Sequence, residues 1–498
     1  MKKNERNAPL NISGDAFRAL GHELVERIAD FYDSLPERPL TRGKTPREIR
    51  ALIGDGPLPD GPTDPGALLG ELAPILFDNS LHNGHPRFFG YITSSAAPLG
   101  ALADLLAAAV NSNVGLWELS PVVSEIERQT VRWLAEFIGY PSDCGGLMVS
   151  GGNMANLVPF FAARRAKAPW NIRDAGIYGD SRPMTVYASD ATHTWIEKAA
   201  DLSGIGVENI RRVASDAQQR MVIDELEAMI DADREAGRLP FMVVGAAGTV
   251  GTGEVDPLST IAAICRKHAL WFHVDGAYGA PAAAVPGAHA DLRGLALADS
   301  VALDPHKWLY CPIEVGCALV RRASHLTDAF SFHPSYYRLS EEDADPTIHY
   351  YEYGMQNTRG SRALKVWLGL RSTGRSGYVQ MIEDDIALAR QLYDAADHHP
   401  ELEAVTCALS ITTFRYRPAQ LALAASDADA YLNALNEALL ARLQGGGEAF
   451  VSNAVLQGRY LLRACVVNFR TTPADIDRLV DIVVRLGREI DAQMRPER

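Results

Sequence analysis

No CxxC pair occurs in this chain: its six cysteines, Cys144, Cys265, Cys311, Cys317, Cys407 and Cys465, are scattered singly. That pattern argues against a zinc ribbon or a disulfide framework and suits reduced thiols in a cytoplasm. Basic charge is also short, with 48 Lys plus Arg against 62 Asp plus Glu and a net charge of −14. An acidic surface repels phosphate backbones and anionic headgroups, so neither nucleic acid nor a membrane is an expected partner. The longest apolar stretch, LGALADLLAAAV, is interrupted by Asp104 and too short to span a bilayer. The two lysines of MKKNERNAPL have no apolar run behind them, so no signal peptide is visible. Internal repeats are absent, and so is an HExxH; His273, Asp275 and His306 lack a third ligand at a characteristic spacing, and no metal is expected. What is left is a soluble, acidic, cytoplasmic protein of 498 residues, long enough for two or three domains.

Residues 17–32 place Phe17, Leu20, Gly21, Leu24, Val25, Ile28 and Phe31 at helical spacing. The Pro- and Gly-rich stretches that follow read as extended loop, so this first segment has no core of its own and must lie against another domain or subunit. From about residue 90 to 320, short apolar runs (GGLMVS, MTVYAS, FMVVGAA, WFHVDGA, DSVALD) alternate with amphipathic stretches such as LSTIAAICRKH. That alternation predicts an α/β domain with a mostly parallel sheet, whose ligands bind at the carboxyl ends of the strands. Residues 325–360 are long, aromatic and irregular, as an active-site lid would be. Strand-like TFRYR and ACVVNF, then the helical TPADIDRLVDIVVRLGREIDAQM, predict a small α/β domain at the end. The expected division is 1–85, 86–375 and 376–498.

Four segments carry chemistry. Lys307, in DPHKW, follows an apolar strand and precedes Trp308, Leu309 and Tyr310, which suits a pocket-facing amine able to condense with a carbonyl; the plain alternative is a surface lysine. In HVDGAY, His273 and Asp275 alternate with Val274 and so share one face. A carboxylate there can keep a pyridine nitrogen protonated, or it merely caps the next turn. SGGNMANL places small residues and Asn153 between a strand and a helix start, the arrangement an anion cradle requires. His193, in SDATHTW, can stack on a flat ring and exchange protons, or cap a helix.

Together with HPRFFGY at 85–91, these segments resemble the pyridoxal-phosphate group II amino acid decarboxylases, which include the aromatic-L-amino-acid, histidine and glutamate decarboxylases. The resemblance implies a fold-type I, aspartate aminotransferase-like large domain, pyridoxal 5'-phosphate as cofactor, and a homodimer with active sites at the interface, the N-terminal segment packing across it. Carried over by motif, Lys307 is the Schiff-base lysine (an internal aldimine), Asp275 the partner of the pyridine nitrogen, His193 the stacking histidine and Ala277 the residue on the opposite ring face. Gly152, Asn153 and His306 fall at the phosphate. Thr249, in GTVGTGEVD, matches the first threonine of a GTT segment whose second is replaced by Val250. Asp304 stands where animal members carry Asn beside the phosphate, and a carboxylate there repels the dianion unless turned away.

Tyr336, in HPSYYRL, resembles the catalytic lid tyrosine that protonates the α-carbon, with Tyr337 next to it; where relatives carry Phe they form aldehydes. Arg359 matches an arginine able to fork onto a carboxylate or, equally, to brace the domain junction. Ser94 falls near a substrate contact. The expected reaction is decarboxylation of an L-amino acid to the amine, with an aromatic substrate favoured. Asn83 and Gly115, however, replace aromatic residues of the animal enzymes, so glutamate or aspartate is the competitor. Aldehyde synthesis, carbon–carbon lysis and a non-catalytic binding role are the other readings.

Overall fold

A computed structural model describes residues 8–332, 347–421 and 425–495. Seven strands form the larger sheet, in the spatial order Gly145–Val149, Gly316–Val320, Ser300–Leu303, Trp271–Asp275, Leu239–Ala246, Met184–Ser189 and Ile210–Val213. All run parallel except Gly316–Val320, which is antiparallel to both neighbours. The five expected strands are all present; Ile210–Val213 and Gly316–Val320 are additions to them.

The sheet is buried on both sides because its central strands are mostly apolar, and successive side chains enter opposite cores. Phe272, Val274, Val301 and Leu303 face one core, shared with helices Pro121–Phe137 and Leu258–Lys267. Trp271, Ala302, Val244 and Ala188 face the other, shared with helices Gly152–Lys167 and Trp195–Leu202. His273 and Asp275 share the parity of Trp271, and the side chains of Trp195 and Asn156, from these two helices, reach them.

A second sheet of five strands has the order Phe88–Phe89, Phe450–Leu456, Arg459–Cys465, Ile411–Tyr416, Leu402–Ala408. Its first strand comes from HPRFFGY and pairs parallel with Phe450–Leu456, so this short piece belongs to the small sheet although the sequence groups it with the large one. The expected strand ACVVNF begins earlier, as Arg459–Cys465. Helix Pro473–Met494 starts at a capping box formed by Thr472 and Asp475. The 37-residue helix Arg362–His398, broken at Gly374 (φ 69°), runs from one sheet to the other.

The N-terminal helix Gly14–Ser34 has no buried residue. Phe17 and Val25 on it, Leu68, Leu72 and Leu76 on helix Pro65–Asn79, and Leu102, Leu105, Leu106 and Val110 on helix Pro98–Val110 are all exposed.

Candidate active site

A cleft of about 430 Å³ opens at the carboxyl ends of the central strands. Lys307, Asp275, His193, Gly152, Asn153, Ala277, Asp304 and His306, from segments far apart in the chain, all line it. Ser150, Gly151 and Asn156 of the same turn and helix, with Ile92, Gly248, Val250, Tyr278 and Glu314, complete its walls. A larger hollow of about 720 Å³ lies beside helix Pro121–Phe137, but no lysine lines it.

Asp275 ends its strand with both oxygens engaged: Oδ2 accepts the indole N–H of Trp195 at 2.8 Å and Oδ1 the backbone N–H of Ala277 at 3.2 Å. The backbone N–H of Trp195 also donates to His193 Nδ1 at 3.2 Å. One residue therefore aims both the carboxylate and the imidazole. Accepting at Nδ1 places the proton of the neutral ring on Nε2. Burial holds the His193 pKa below its ordinary value; Asp275 opposes that and Lys307 adds to it.

Behind Asp275, His273 is fully buried, and burial depresses its pKa to about 4. Its tautomer follows from its neighbours. Trp271 Nε1 donates to Ser300 Oγ (2.8 Å), and the Ser300 hydroxyl gives its own proton to His273 Nδ1 (2.8 Å), because the neutral ring carries its proton on Nε2. The Asn156 amide nitrogen donates to the Gly152 carbonyl (2.9 Å), so Asn156 Oδ1 accepts from His273 Nε2 (2.8 Å). The chain ties the Asp275 strand to the first turn of helix Gly152–Lys167, and His273 is not available to an ion.

That first turn is the segment expected to cradle an anion. Gly151 caps the helix at φ 82°, a conformation that favours glycine. A Cβ on Gly152 would come within 2.5 Å of Asp304 Oδ2, so only glycine fits beside that carboxylate. Asp304 is not turned away, as the phosphate reading required. It is 1 % exposed, neither oxygen accepts a hydrogen bond among the described residues, and Oδ2 lies 3.1 Å from Lys307 Nζ as an ion contact. His306 Nδ1 donates to the Val315 carbonyl at 2.6 Å, and its Nε2 lies 4.0 Å from Asp304.

Three expected site residues lie elsewhere. Arg359 is buried and paired with Glu127 at 2.5 Å; it also donates to the Met148 carbonyl at 2.6 Å, and its guanidinium lies over Tyr350. It braces the sheet edge, and the substrate-carboxylate role is corrected on that ground. The Thr249 hydroxyl is turned to Thr252 (2.9 Å) while its neighbours Gly248 and Val250 line the cleft. Ser94 donates to the His306 carbonyl at 2.9 Å, steadying the lysine turn from outside the cleft. Tyr336 lies outside the described residues. Gly115 packs where a Cβ would meet the Asn357 carbonyl at 2.0 Å, so no larger side chain fits at that position.

Sequence reasoning missed Trp195, whose place beside His193 is legible but whose partner lies 80 residues away. It also missed Arg463, 2 % exposed, which donates to the Tyr91 carbonyl and Ser452 Oγ at 3.0 Å. Its Nε and Nη2 have no hydrogen-bond partner among the described residues.

Apart from Asp304, these groups fit a phosphorylated pyridine aldehyde: an amine for the aldehyde, a carboxylate for a ring nitrogen, a small residue and an imidazole for the ring, and a glycine-walled helix start for the phosphate. The comparisons agree. The model of the pyridoxal-dependent decarboxylase conserved domain matches residues 46–417. The aromatic-L-amino-acid decarboxylase of Bacillus atrophaeus is 34 % identical over 482 residues, covering 97 % of each chain. A phenylacetaldehyde synthase of Arabidopsis thaliana is 27 % identical over 464 residues, 91 % of this chain and 92 % of that one. The crystal structure of Oryza sativa TDC with PLP and tryptamine superposes with a TM-score of 0.89 at 28 % identity, covering 97 % of this chain and 100 % of that one. The chain belongs to the pyridoxal-phosphate-dependent amino acid decarboxylases, carboxy-lyases of fold-type I.

Proposed function

We propose that this enzyme converts an aromatic L-amino acid to its amine and carbon dioxide, with Lys307 holding the cofactor's aldehyde carbon. The observation that carries the aromatic reading is the charge of the cleft. Its described lining holds Asp275, Asp304 and Glu314 but no arginine, and its one lysine is needed by the cofactor. An acidic side chain entering there meets like charge, which costs binding. Ile92, Val250 and Tyr278 supply apolar and aromatic wall instead. The name of the 34 % identical relative points the same way.

When bound, pyridoxal phosphate supplies an electron sink conjugated to the substrate nitrogen. In our reading the residues around it divide the remaining work. Asp275, fixed by Trp195 and the Ala277 amide, keeps the proton on the ring nitrogen. His193, neutral with its proton on Nε2, would pack on the ring and serve proton movement there. Gly152, Asn153 and His306 take the phosphate side, and Ala277 the second ring face. Arg463, which does not line the cleft itself, replaces Arg359 as the candidate for the substrate's α-carboxylate, a role that leaves no arginine for an acidic side chain: it is buried, its Nε and Nη2 lack partners among the described residues, and its bonded partner Tyr91 adjoins Ile92 of the cleft. Tyr336 remains the proposed proton donor to the α-carbon.

The apolar faces of helices Gly14–Ser34, Pro65–Asn79 and Pro98–Val110 support a homodimer, because exposed leucines at i, i+4 and i+8 are a stripe built to be covered. A cytoplasmic location fits the single free cysteines; no helix among the described residues is long and apolar enough to cross a membrane.

A panel of L-amino acids assayed for carbon dioxide and amine tests the assignment. Release from tryptophan, tyrosine or phenylalanine, with glutamate and aspartate inert, is the expected result; turnover of the acidic pair alone would reject the aromatic reading.

A further inference from the structure

The turn that presents Lys307 is held from the far side by a carboxylate that the cofactor chemistry does not use. Asp385 lies on helix Arg362–His398, beyond its break at Gly374, and is 2 % exposed. Its Oδ2 accepts two hydrogen bonds, from Trp308 Nε1 at 2.9 Å and from the Tyr310 hydroxyl at 2.7 Å. These two side chains flank Lys307 at positions one and three further on. Tyr310 adopts φ 53°, a left-handed conformation unfavourable for an aromatic residue, so something must hold it there. Its phenol on Asp385, its carbonyl accepting from the Ala97 amide at 2.9 Å, its amide donating to the Lys307 carbonyl at 3.2 Å, and ring contacts with Tyr378 and Phe469 all hold it.

The same group reaches the small sheet. The Asn468 backbone, just past strand Arg459–Cys465, lies close enough to Asp385 to oppose the rise in its pKa. Trp308 stacks on Tyr278 with ring centroids 4.9 Å apart, and the Tyr278 hydroxyl bonds Ser410 Oγ at 2.6 Å in the turn before strand Ile411–Tyr416. Tyr278 itself lines the cleft.

We propose that Asp385 is a positioning residue for the decarboxylation: by gripping Trp308 and Tyr310 it aims the Lys307 amine into the cleft and couples that aim to the small sheet. The inference rests on the reading of Lys307 as the cofactor lysine. Burial raises the Asp385 carboxyl to about 7, so its charge changes in the pH range where the enzyme would be assayed. The ionisable groups facing it are the Tyr310 phenol from the lysine turn, Asp384 from its own helix and the Cys465 thiol from the small sheet. The phenol and thiol are themselves pushed up by burial and stay neutral near pH 7.

The test compares wild-type holoenzyme with Asp385→Leu, Asp385→Asn and Tyr310→Phe. It reads the pH titration of the cofactor's visible absorption band, kcat and KM separately, and Tm. Asp385→Leu is expected to shift the midpoint of the band titration and to lower kcat about ten-fold or more with little change in KM. Tyr310→Phe moves both the same way by less. Asp385→Asn, which keeps an acceptor oxygen, restores most of the wild-type behaviour. A normal wild-type band whose titration is unmoved in the variants, even with a lowered Tm, overturns the positioning role alone. A wild-type protein without a visible band overturns the cofactor reading and this proposal with it. Should Asp385→Leu fail to fold, Tyr310→Phe decides: an unmoved midpoint and kcat overturn the proposal.

Discussion

Replacing Arg359 by Met separates a structural brace from a substrate contact. Arg359 and Glu127 have side chains 1 % and 0 % exposed, and Glu127 Oε1 accepts from both the Arg359 guanidinium and the Met148 amide, the latter at 2.8 Å. Removing one partner of such a pair leaves a buried charge uncompensated and costs about 3–5 kcal/mol. The guanidinium's position 4.9 Å from the Tyr350 ring centroid adds about 1 kcal/mol to the loss. If Glu127→Gln is made as well, no charge is stranded and an acceptor remains for the Met148 amide, so the double variant should recover most of the stability. Urea unfolding of wild type, both single variants and the double variant measures this cycle. The expected pattern is a loss of roughly 4–6 kcal/mol for Arg359→Met, a coupling energy of several kcal/mol, and KM close to wild type in protein that remains folded. A stable Arg359→Met variant with a greatly raised KM would refute the brace and return the arginine to the substrate.

Acid stability should carry the mark of His273: its pKa is about 4 in the fold against about 6.5 unfolded, so the unfolded chain binds the proton first. Stability from this group is intact above pH 6.5 and falls by roughly 3 kcal/mol on reaching pH 4. His273→Gln, less stable at neutral pH, should therefore close on wild type as pH falls; a gap unchanged between pH 7 and pH 4.5 in urea titrations would contradict the neutral buried imidazole. Tyr336→Phe should divert product from amine to aldehyde and peroxide, read by chromatography and a peroxidase assay, and an unchanged amine yield would reject its protonating role. Leu72→Asp with Leu105→Asp places charge on the exposed apolar face and should yield monomers in light scattering, whereas an unaltered mass would put the subunit contact elsewhere.

Five strands of the large sheet were legible because each is a short, mostly apolar run; the parallel edge strand Ile210–Val213, with Arg211 and Arg212 at its centre, carries no such signal. Gly316–Val320 is equally apolar, but nothing local marks it as running antiparallel between two parallel strands. Lys307, Asp275, His193 and the Gly152 turn were legible because each sits in a compact motif at a strand end. The partners that aim them were not: Trp195 lies 80 residues from Asp275, and Asp385 lies 77 from Trp308. Local sequence cannot pair residues that only the fold brings together. The same limit explains Arg359, whose TRG context reads alike for a brace and a substrate contact until burial against Glu127 is known. It also explains Thr249, since in GTVGTG either hydroxyl could face outward until Thr252 is seen to take it. Asp304 was noticed as an anomaly, but its ion contact with Lys307 needed coordinates.

Borohydride reduction of the purified holoenzyme, followed by proteolysis and mass spectrometry of the peptides, addresses the cofactor attachment directly. A reduced pyridoxyl group on the peptide containing Lys307, and on no other lysine, is the predicted result. A label at a different lysine, or none on a protein that still releases carbon dioxide, would contradict it.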